Sequence, residues 1–302
     1  MWQLEKVKER FPNPLITTNG KTVQYENGEY GPDVVANYAM NFIKQNKDRP
    51  FFVYYPMILT HCPFCPTPDS DDWDPNHRGS KTYKGDARYF GDMVSYMDKI
   101  VGQLIEGLEE AGVRKNTLFI FTGDNGTDRP VVSKMKDGRE IAGLKNKTVD
   151  AGTRVPLIFD WPAENQAEGR LTNRLVDMSD FLPTICEAAG IELPQTTPFD
   201  GESFLGELTG EPRPRSKPIY IWYSRNAEKG KKFQPKIFAR DQRYKLYANG
   251  DLFDVKNDPE EKTPLVAESL STTVHEVRTS LQQTIQQFRG KRLSLIPKSK
   301  SD

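Results

Sequence analysis

The stretch LFIFTGDNGTDRP, Leu118–Pro130, joins a continuous apolar run to an acid, an amide and a glycine. Short apolar runs of this kind are typical of strands that are buried on both faces of a parallel sheet. Asp124 and Asn125 follow at once, and their side chains offer the oxygen ligands that calcium and magnesium prefer. A turn built from Asp, Asn and Gly is an equally ordinary use of these residues. The tripeptide alone leaves a metal site and a turn open.

Two segments before this stretch predict the elements that precede it. The segment PFFVYYPM (50–57) is a second short apolar run and predicts a buried strand, so that His61 would lie just past a strand end. Between residues 87 and 111, apolar side chains recur at helical spacing and predict a long amphipathic helix that Gly112 ends. The order strand, helix, strand favours a right-handed parallel crossover, and hence an α/β fold with a doubly wound, mostly parallel sheet. Ligands of such sheets bind beyond the carboxyl ends of the strands, where His61 and Asp124 would both lie.

The rest of the chain predicts one further strand and a different C-terminal part. The segment RVPLIFDWP (154–162) predicts a third buried strand, and the loop before it holds Lys145 and Lys147. These lysines could neutralise an anion or could be exposed charges. From about residue 211, short alternating strands predict a small antiparallel sheet that a final amphipathic helix would cover. We therefore expect a partial α/β domain over 1–210 and an antiparallel subdomain with a terminal helix over 211–302.

Three local patterns complete the prediction. The segment TTNGKTV (17–23) predicts a hairpin or a loop. The segment GPDVVANYAMNFIKQN (31–46) has the apolar spacing of an amphipathic helix of about 14 residues behind an initial proline. The segment MSDFLPTICEAAG (178–190) predicts a helix that Ser179 caps and Gly190 ends.

The composition limits the possible partners. The 302 residues include 42 lysines and arginines and 42 aspartates and glutamates, so no net charge attracts nucleic acid or an anionic membrane. The first residues lack the apolar core of a signal peptide, and no run of about 18 apolar residues predicts a membrane span. We therefore expect neither nucleic acid nor a membrane as a partner, and the location and the oligomeric state stay open.

Two cysteines have the spacing of a zinc or redox motif. Cys62 and Cys65 form a CPFC segment, and Cys186 is the third cysteine of the chain. A zinc site would need two more thiolate or imidazole ligands, and no second CxxC segment occurs. The flanking prolines favour a rigid turn, and the redox state of the pair stays open.

Taken together, these segments resemble the sulfatase family, within the alkaline-phosphatase-like superfamily. Five pieces match in one order from about residue 30 to about residue 290: PFFVYYPMILTHCPF, YFGDMVSYMDKIVGQLIEGLEEAG, TLFIFTGDNG, GLKNKTVDAGTRVPLIFDWP and DLFDVKNDPEE. None of the five is specific alone, and their common order makes the resemblance specific. It implies hydrolysis of a sulfate ester, aryl or carbohydrate, with the help of a divalent cation, usually calcium and with magnesium as the alternative.

The resemblance also implies roles for individual residues. Asp124 and Asn125 fall on two ligands of the family's metal ion. His61 falls on the histidine that contacts the sulfate ester and helps to protonate the leaving oxygen. Lys145 falls on the lysine that contacts the sulfate, and Lys147 is its replacement if the loop shifts by two residues.

The nucleophile of the family is missing from the pattern. In sulfatases it is a formylglycine, made from the first residue of a segment Cys or Ser, any residue, Pro or Ala, any residue, Arg. No such segment occurs here, because Phe64 occupies the proline position after Cys62 and Thr67 does so after Cys65. The upstream pair of metal-binding aspartates is missing as well, so that calcium would have two of its six to eight oxygen ligands.

We therefore expect the C-terminal portion of a longer sulfatase, with little or no activity alone. One alternative is an inactive pseudoenzyme or binding module that keeps the fold without the nucleophile. Another is a phosphatase or phosphodiesterase of the same superfamily, although such enzymes usually hold two zinc ions through several histidines and this chain has three histidines in all. The natural substrate stays open, and full-length relatives are often periplasmic or secreted.

Overall fold

The computed structural model describes residues 10–76, 80–165, 169–196, 198–224 and 235–291. The chain forms two compact units, one of residues 1–119 with 161–163 and one of residues 120–160 with 164–302. Within the described ranges, no helix has both the length and the apolar composition that crossing a membrane requires. The domain boundary at residue 210 stays a prediction.

The first unit begins with a hairpin. Strands β1 (Leu15–Thr18) and β2 (Lys21–Gln24) pair in antiparallel register. Asn19 and Gly20 between them have φ angles of +51° and +78°, and two successive left-handed residues favour a tight two-residue hairpin turn. The hairpin alternative for this segment is therefore confirmed.

Two long helices form the centre of the first unit. Helices α1 (Gly31–Asn46) and α2 (Phe90–Glu110) both match predicted helices and pack against each other. The Tyr96 hydroxyl in α2 donates a hydrogen bond of 2.7 Å to the Asp33 carboxylate in α1. Gly112, with a φ of +74°, follows α2 where the sequence predicts its end. The buried apolar side chains of the two helices include Ala36, Ala39, Ile43, Met93, Tyr96, Ile100, Leu104 and Leu108.

The buried faces of these helices are displaced from the predicted stripes. Tyr38, Phe42 and Val94 belong to the predicted apolar faces, yet they are 53%, 38% and 37% exposed. In α1 the buried apolar residues are the small Ala36 and Ala39 together with Ile43. Periodicity identifies an apolar side of a helix, but the packing partner decides which edge of that side is covered.

The predicted strand over residues 50–57 is wrong. The segment is irregular, and Phe52 and Tyr54 are 66% and 79% exposed. A buried strand needs a hydrogen-bonded neighbour on its edge, and no described strand pairs with this segment. His61 therefore follows an irregular segment, and the predicted crossover from this segment through α2 to the next strand is not formed.

The second unit begins with two predicted strands that pair with each other. Strand β3 (Phe119–Thr122) and strand β6 (Leu157–Asp160) form a sheet in the described residues. Between them lie strands β4 (Val132–Lys134) and β5 (Glu140–Ala142), an antiparallel hairpin that the sequence did not predict. The short helix α3 (Asp150–Thr153) precedes β6.

The next helices of this unit are short. Helix α4 (Phe181–Ala188) follows a 3-10 turn at Met178–Asp180, and helix α5 (Gly206–Thr209) comes next. The predicted cap at Ser179 is wrong, because the side chain of Asp177 accepts the backbone N–H of Ser179. The 3-10 turn moves the capping position two residues toward the N-terminus.

The predicted C-terminal sheet and its covering helix are confirmed. Antiparallel strands lie in the order β10-β9-β8-β7. Their ranges are β7 Ile219–Tyr223, β8 Lys236–Arg240, β9 Tyr244–Tyr247 and β10 Leu252–Asp254. Helix α6 (Thr272–Gln287) packs on this sheet through Leu281, which is buried together with Ala239, Leu246 and Leu252.

Candidate functional site

Two loops of the second unit hold the residues that the sequence singled out there. The strand-end loop, residues 123–128, follows β3 and contains Asp124 and Asn125. The lysine loop, residues 143–153, precedes β6 and contains Lys145. Because β3 and β6 are paired, both loops lie at that sheet.

Backbone hydrogen bonds join the two loops. The N–H of Gly126 donates to the carbonyl of Gly152 over 3.0 Å, and the N–H of Lys145 donates to the carbonyl of Thr127, also over 3.0 Å. The two bonds run in opposite directions between the loops. The candidate metal ligands and the candidate anion-binding lysine therefore lie on one hydrogen-bonded backbone assembly.

Gly126 makes this approach possible, and Gly152 makes a close approach of the backbone within the lysine loop possible. A Cβ atom on Gly126 would lie 2.2 Å from the carbonyl oxygen of Ala151, and one on Gly152 would lie 2.3 Å from the carbonyl oxygen of Lys147. Real Cβ atoms do not come so close to backbone oxygens. The sequence suggested that Gly126 permits a sharp turn, but its φ is not in the left-handed region, and the close contact between loops is what requires glycine.

The metal-ligand candidates lie at the surface of the strand-end loop. The Asp124 side chain is exposed, and Asn125 is half-buried. Among the residues the structure describes, no group of three or more His, Cys, Asp or Glu side chains is placed to hold a metal ion. Asp124 and Asn125 therefore offer two oxygen donors of the type that calcium accepts.

The two lysines of the lysine loop differ in their exposure to solvent. Lys145 is half-buried and has its backbone fixed to the strand-end loop, whereas Lys147 is exposed. A side chain on a fixed backbone loses less conformational freedom when it binds an anion than one on a mobile backbone. Of the two, Lys145 is the better candidate for contact with a sulfate group.

His61 belongs to the first unit, where two polar groups contact its Nδ1 atom. The carbonyl oxygen of Cys62 lies 2.6 Å from Nδ1 of His61. A carbonyl can only accept a hydrogen bond, so this contact calls for a proton on Nδ1. Nη1 of Arg10 is 3.3 Å from the same nitrogen and adds a positive charge there. A guanidinium group can only donate, so the arginine contact calls for the opposite tautomer, with the proton on Nε2.

The C-terminal sheet holds the lysine loop in a way that sequence reasoning missed. Lys245 in β9 is fully buried, and its ammonium group donates to the carbonyl of Thr148 and to Oε1 of Glu261. The hydroxyl of Thr148 lies 2.8 Å from that of Tyr247. A lysine flanked by apolar residues in a predicted strand was the available signal, because a charge there needs a buried partner.

A second anchor joins the same sheet to the lysine loop. Nη1 of Arg240 in β8 lies 3.1 Å from Oδ1 of Asp150, the first residue of α3, and both side chains are less than one-fifth exposed. Asp150 is the acid in the segment GLKNKTVDAGTRVPLIFDWP, one of the five pieces that resemble the sulfatase family. In this structure its role is to anchor the loop to the sheet.

The CPFC segment is buried in the first unit. Cys62 and Cys65 are 2% and 4% exposed, and neither forms a disulfide. Burial raises the pKa of Cys65 to about 11, and the neighbouring Cys62 adds to the effect. The Cys65 thiol is therefore protonated at neutral pH.

Comparison with protein families gives two matches that together cover most of the chain. The family model described as Sulfatase matches residues 3–191. The model described as N-sulphoglucosamine sulphohydrolase, C-terminal, matches residues 145–291. The overlap of the two matches includes most of the lysine loop.

Curated proteins that are similar to this chain are named as sulfatases. A sulfatase of Formosa agariphila is 26% identical over 297 residues, which cover 89% of this chain and 51% of the relative. Human arylsulfatase A is 30% identical over 180 residues, which cover 60% of this chain and 33% of the relative. The chain thus spans about half the length, or less, of these curated relatives.

Solved structures agree with this assignment. The crystal structure of Ps i-CgsB has a TM-score of 0.69 and 25% sequence identity, covering 93% of this chain and 59% of the other. A chain solved in complex with its substrate D-glucosamine-2-N,6-O-disulfate has a TM-score of 0.64 at 18% identity, and covers 97% of this chain and 76% of its own. Both comparisons support an α/β fold of the sulfatase type. The chain belongs to the sulfatase family.

Proposed function

We propose that this chain holds part of a site for metal-assisted hydrolysis of a sulfate ester. In this site Asp124 and Asn125 bind calcium, with magnesium as a possible substitute, Lys145 binds the sulfate group and His61 gives a proton to the leaving oxygen. The sheet of β3 and β6 would belong to the doubly wound, mostly parallel sheet of the family. We keep residues 1–210 as the α/β domain and 211–302 as the C-terminal subdomain.

One observation carries the proposal. The strand-end loop and the lysine loop are joined by the two backbone hydrogen bonds from Gly126 and Lys145. A cation held by the first loop and an ammonium group on the second would place two positive charges near one anion. Such a fixed arrangement favours a doubly charged or charge-developing sulfate group over a neutral ligand.

Hydrolysis of a sulfate ester requires a proton donor for the leaving oxygen. Hydrolysis breaks the bond between sulfur and the ester oxygen, and the departing alkoxide or phenoxide must receive a proton. His61 in its protonated form would deliver this proton. Bound calcium would supply charge neutralisation at the sulfate oxygens. Lys145 would add to this by binding the same group.

The nucleophile is the missing part of the site. The 302 residues contain no segment of the kind that is converted into formylglycine, so no residue of this chain fits that role. We infer that the chain alone binds a sulfate ester and turns it over very slowly or not at all. The same observation favours a second candidate, a binding module that has kept the fold and lost the reaction.

The ligands of similar proteins suggest a class of substrate, although not a single compound. One solved neighbour binds D-glucosamine-2-N,6-O-disulfate, and Ps i-CgsB binds a neocarrahexaose. Both of those ligands are carbohydrates, whereas human arylsulfatase A is named for aryl sulfates. We propose a carbohydrate or aryl sulfate as the ligand and neither nucleic acid nor a membrane.

The test measures binding and turnover separately on the 302-residue chain. Calorimetric titration with calcium should give one site that Asp124→Ala weakens by about tenfold or more, because the only full charge among the two ligands is lost. Titration with 4-nitrophenyl sulfate in the presence of calcium should give binding that Lys145→Ala weakens. Asp137→Ala, an exposed aspartate at the tip of the β4–β5 hairpin, is the matched control and should change neither titration.

The outcomes separate the two candidates. Release of 4-nitrophenol by the unaltered chain would contradict the inference about the nucleophile. Absence of binding to both calcium and the aryl sulfate would contradict the whole proposal. Addition of a formylglycine-bearing segment that restores turnover favours the enzyme, and binding without turnover in its presence favours the binding module.

A further inference from the structure

We propose that Lys245 is a positioning residue for the lysine loop. Its buried ammonium group links Glu261 to the carbonyl of Thr148 and thereby fixes the backbone that presents Lys145. The inference deepens the function proposed above for Lys145 and rests on it. No part of the resemblance to sulfatases assigned a role to Lys245 or Glu261.

The surroundings of Lys245 show that its charge is matched on every side. The residue has no exposed surface, and its Nζ atom lies 2.6 Å from Oε1 of Glu261 and donates to the carbonyl of Thr148. The same atom lies 4.0 Å from the centre of the Phe238 ring, close enough for a cation–π contact. A carboxylate, a carbonyl and a ring face thus meet the three N–H donors. A buried ammonium group persists only when it is compensated in this way.

Glu261 is held in an unusual backbone conformation. Its φ is +55°, in the left-handed region that residues other than glycine, asparagine and aspartate seldom occupy. Its side chain is 5% exposed, and Oε2 accepts a 2.5 Å hydrogen bond from the Tyr247 hydroxyl. A strained residue is retained where its surroundings fix it, and here the strain aims the carboxylate at Lys245 and Tyr247.

The hydrogen bonds around Thr148 have a definite direction. The Tyr247 hydroxyl donates to the Glu261 carboxylate, which can only accept, so the Thr148 hydroxyl must be the donor in its 2.8 Å contact with Tyr247. The backbone carbonyl of Thr148 accepts from Lys245. Both polar groups of one loop residue are therefore bound to the C-terminal sheet.

The hydrogen bonds of Thr148 to the C-terminal sheet lie close in sequence to Lys145, the candidate sulfate-binding residue. Thr148 lies three residues after Lys145, and the N–H of Lys145 is bound to the carbonyl of Thr127 on the other side. The backbone at Lys145 is thus fixed between the strand-end loop and the C-terminal sheet. Removal of the Lys245 charge would weaken the attachment to the C-terminal sheet, where the contacts of Tyr247 and Arg240 remain, and would leave the Lys145 ammonium group itself unchanged.

A purely structural role for Lys245 makes a different prediction. If Lys245 only joined β9 to the segment around Glu261, its loss would lower the stability of the whole unit and leave ligand binding by the folded protein as it was. If it positions the lysine loop, its loss would act on the loop first and on binding through Lys145. Local hydrogen exchange and a double-mutant comparison distinguish these roles.

The experiment uses the full 302-residue chain with Lys245→Met, a substitution that keeps the length and removes the charge. Amide exchange followed by NMR should rise by about tenfold at Lys145 and Gly126, and should be unchanged at Ile100 and Leu104 in α2. The Kd for 4-nitrophenyl sulfate with calcium should rise about tenfold, and Lys245→Met should have no further effect on that Kd in a Lys145→Ala background. Lys245→Arg, which keeps the charge, should restore part of the affinity.

Arg215→Met is the matched control. It breaks a comparably buried ion pair of the same unit, with Asp180, and both of its partners, Asp180 and Lys217, lie outside the lysine loop. We expect a loss of stability with unchanged exchange at Lys145 and an unchanged Kd. If Lys245→Met does not fold, Tyr247→Phe removes one link of the same chain of hydrogen bonds and should give the same pattern at smaller amplitude.

The two proposals fail in different ways. If the unaltered chain does not bind the aryl sulfate, the proposed function fails, and the exchange measurement still decides whether Lys245 fixes the loop. If exchange at Lys145 in Lys245→Met and in Tyr247→Phe equals that of the unaltered chain, or rises equally throughout the second unit, the positioning role is wrong. A Kd that stays constant while the loop exchanges faster would overturn it as well.

Discussion

Gly126 and Gly152 approach each other so closely that the N–H of one donates to the carbonyl of the other over 3.0 Å. This contact is the point at which the strand-end loop meets the lysine loop. Both residues have backbone on the side where another residue would have a side chain. The geometry of the candidate site therefore depends on the absence of a Cβ atom at both positions.

Gly126→Ala should destabilise the protein and disturb the strand-end loop. The new Cβ would meet the Ala151 carbonyl oxygen at 2.2 Å, and overpacking of this kind costs about 1–3 kcal/mol. Urea unfolding would measure the loss, and calcium titration should show weaker binding.

Gly102→Ala provides the control for that substitution. Gly102 lies inside α2, and a Cβ there would meet no atom within 4 Å. Alanine in a helix interior is more favourable than glycine by about 1 kcal/mol, so this variant should be more stable than the unaltered protein. Equal effects of the two alanines would contradict the close-contact explanation.

Asp150→Asn should loosen the lysine loop from β8. Asp150 and Arg240 are 3.1 Å apart and less than one-fifth exposed, so the loss of one charge should cost about 1–3 kcal/mol in unfolding free energy. Asp137→Asn removes the carboxylate of a similar but exposed pair with Arg139 and should leave stability nearly unchanged. A thermal unfolding series of both variants measures the difference, and a stability loss of the same size in both would refute the anchor.

The thiols of the CPFC segment should be unreactive in the folded protein. With a pKa of about 11, Cys65 is a thiolate in about one molecule per thousand at pH 8, and Cys62 is equally buried. An aromatic disulfide reagent at pH 8 should modify Cys186, which is half-buried, and should reach the other two only after unfolding. Cys186→Ser should remove the fast phase. Two fast thiols in that variant would show that the segment opens in the native state.

The Asp254 carboxylate should make stability depend on pH in the acid range. The hydrogen bonds from Arg243, 2.7 and 3.1 Å long, lower the pKa of Asp254, and a bond from Asn257 lowers it further. Because the folded-state pKa is below the unfolded value of about 3.9, this stability is fully present above that value and is lost as pH falls through the folded-state pKa.

Asp254→Asn tests that dependence. The variant should be less stable than the unaltered protein at pH 7, and the difference should shrink as the pH falls below about 4, where the carboxylate of the unfolded chain is protonated. Unfolding free energies measured at several pH values give the comparison. A difference that is independent of pH would mean that the Arg243 contact contributes nothing through charge.

The sequence predicted elements well where one local signal was sufficient. The long helix α2, the strands β3 and β6, the C-terminal sheet and its helix were all confirmed, because their apolar periods and glycine stops are local properties. The segment 50–57 has the same composition as a buried strand, but strand formation depends on a neighbour, which no local pattern reveals. The β4–β5 hairpin was missed because its residues are polar and its strands short.

The candidate site shows the same division between local and distant information. The order of His61, Asp124 and Lys145 along the chain was sufficient for the family resemblance, and the family itself is confirmed, while the roles of these residues stay predictions. The contacts of Lys245 and Tyr247 with Thr148 join residues about a hundred positions apart. Such contacts depend on the folded chain and leave only a weak trace in the sequence, a charged residue among apolar ones.

The double attachment of the lysine loop also sets limits on its length. Between Lys145 and Gly152 the chain runs from one fixed point to another, so an inserted or deleted residue there would displace at least one of the two attachments. The tip of the β4–β5 hairpin at Asp137 and Gly138 is exposed and has no comparable restraint. Among proteins that share this arrangement, insertions and deletions should therefore accumulate at the hairpin tip. The number of residues between the positions of Lys145 and Gly152 should stay constant.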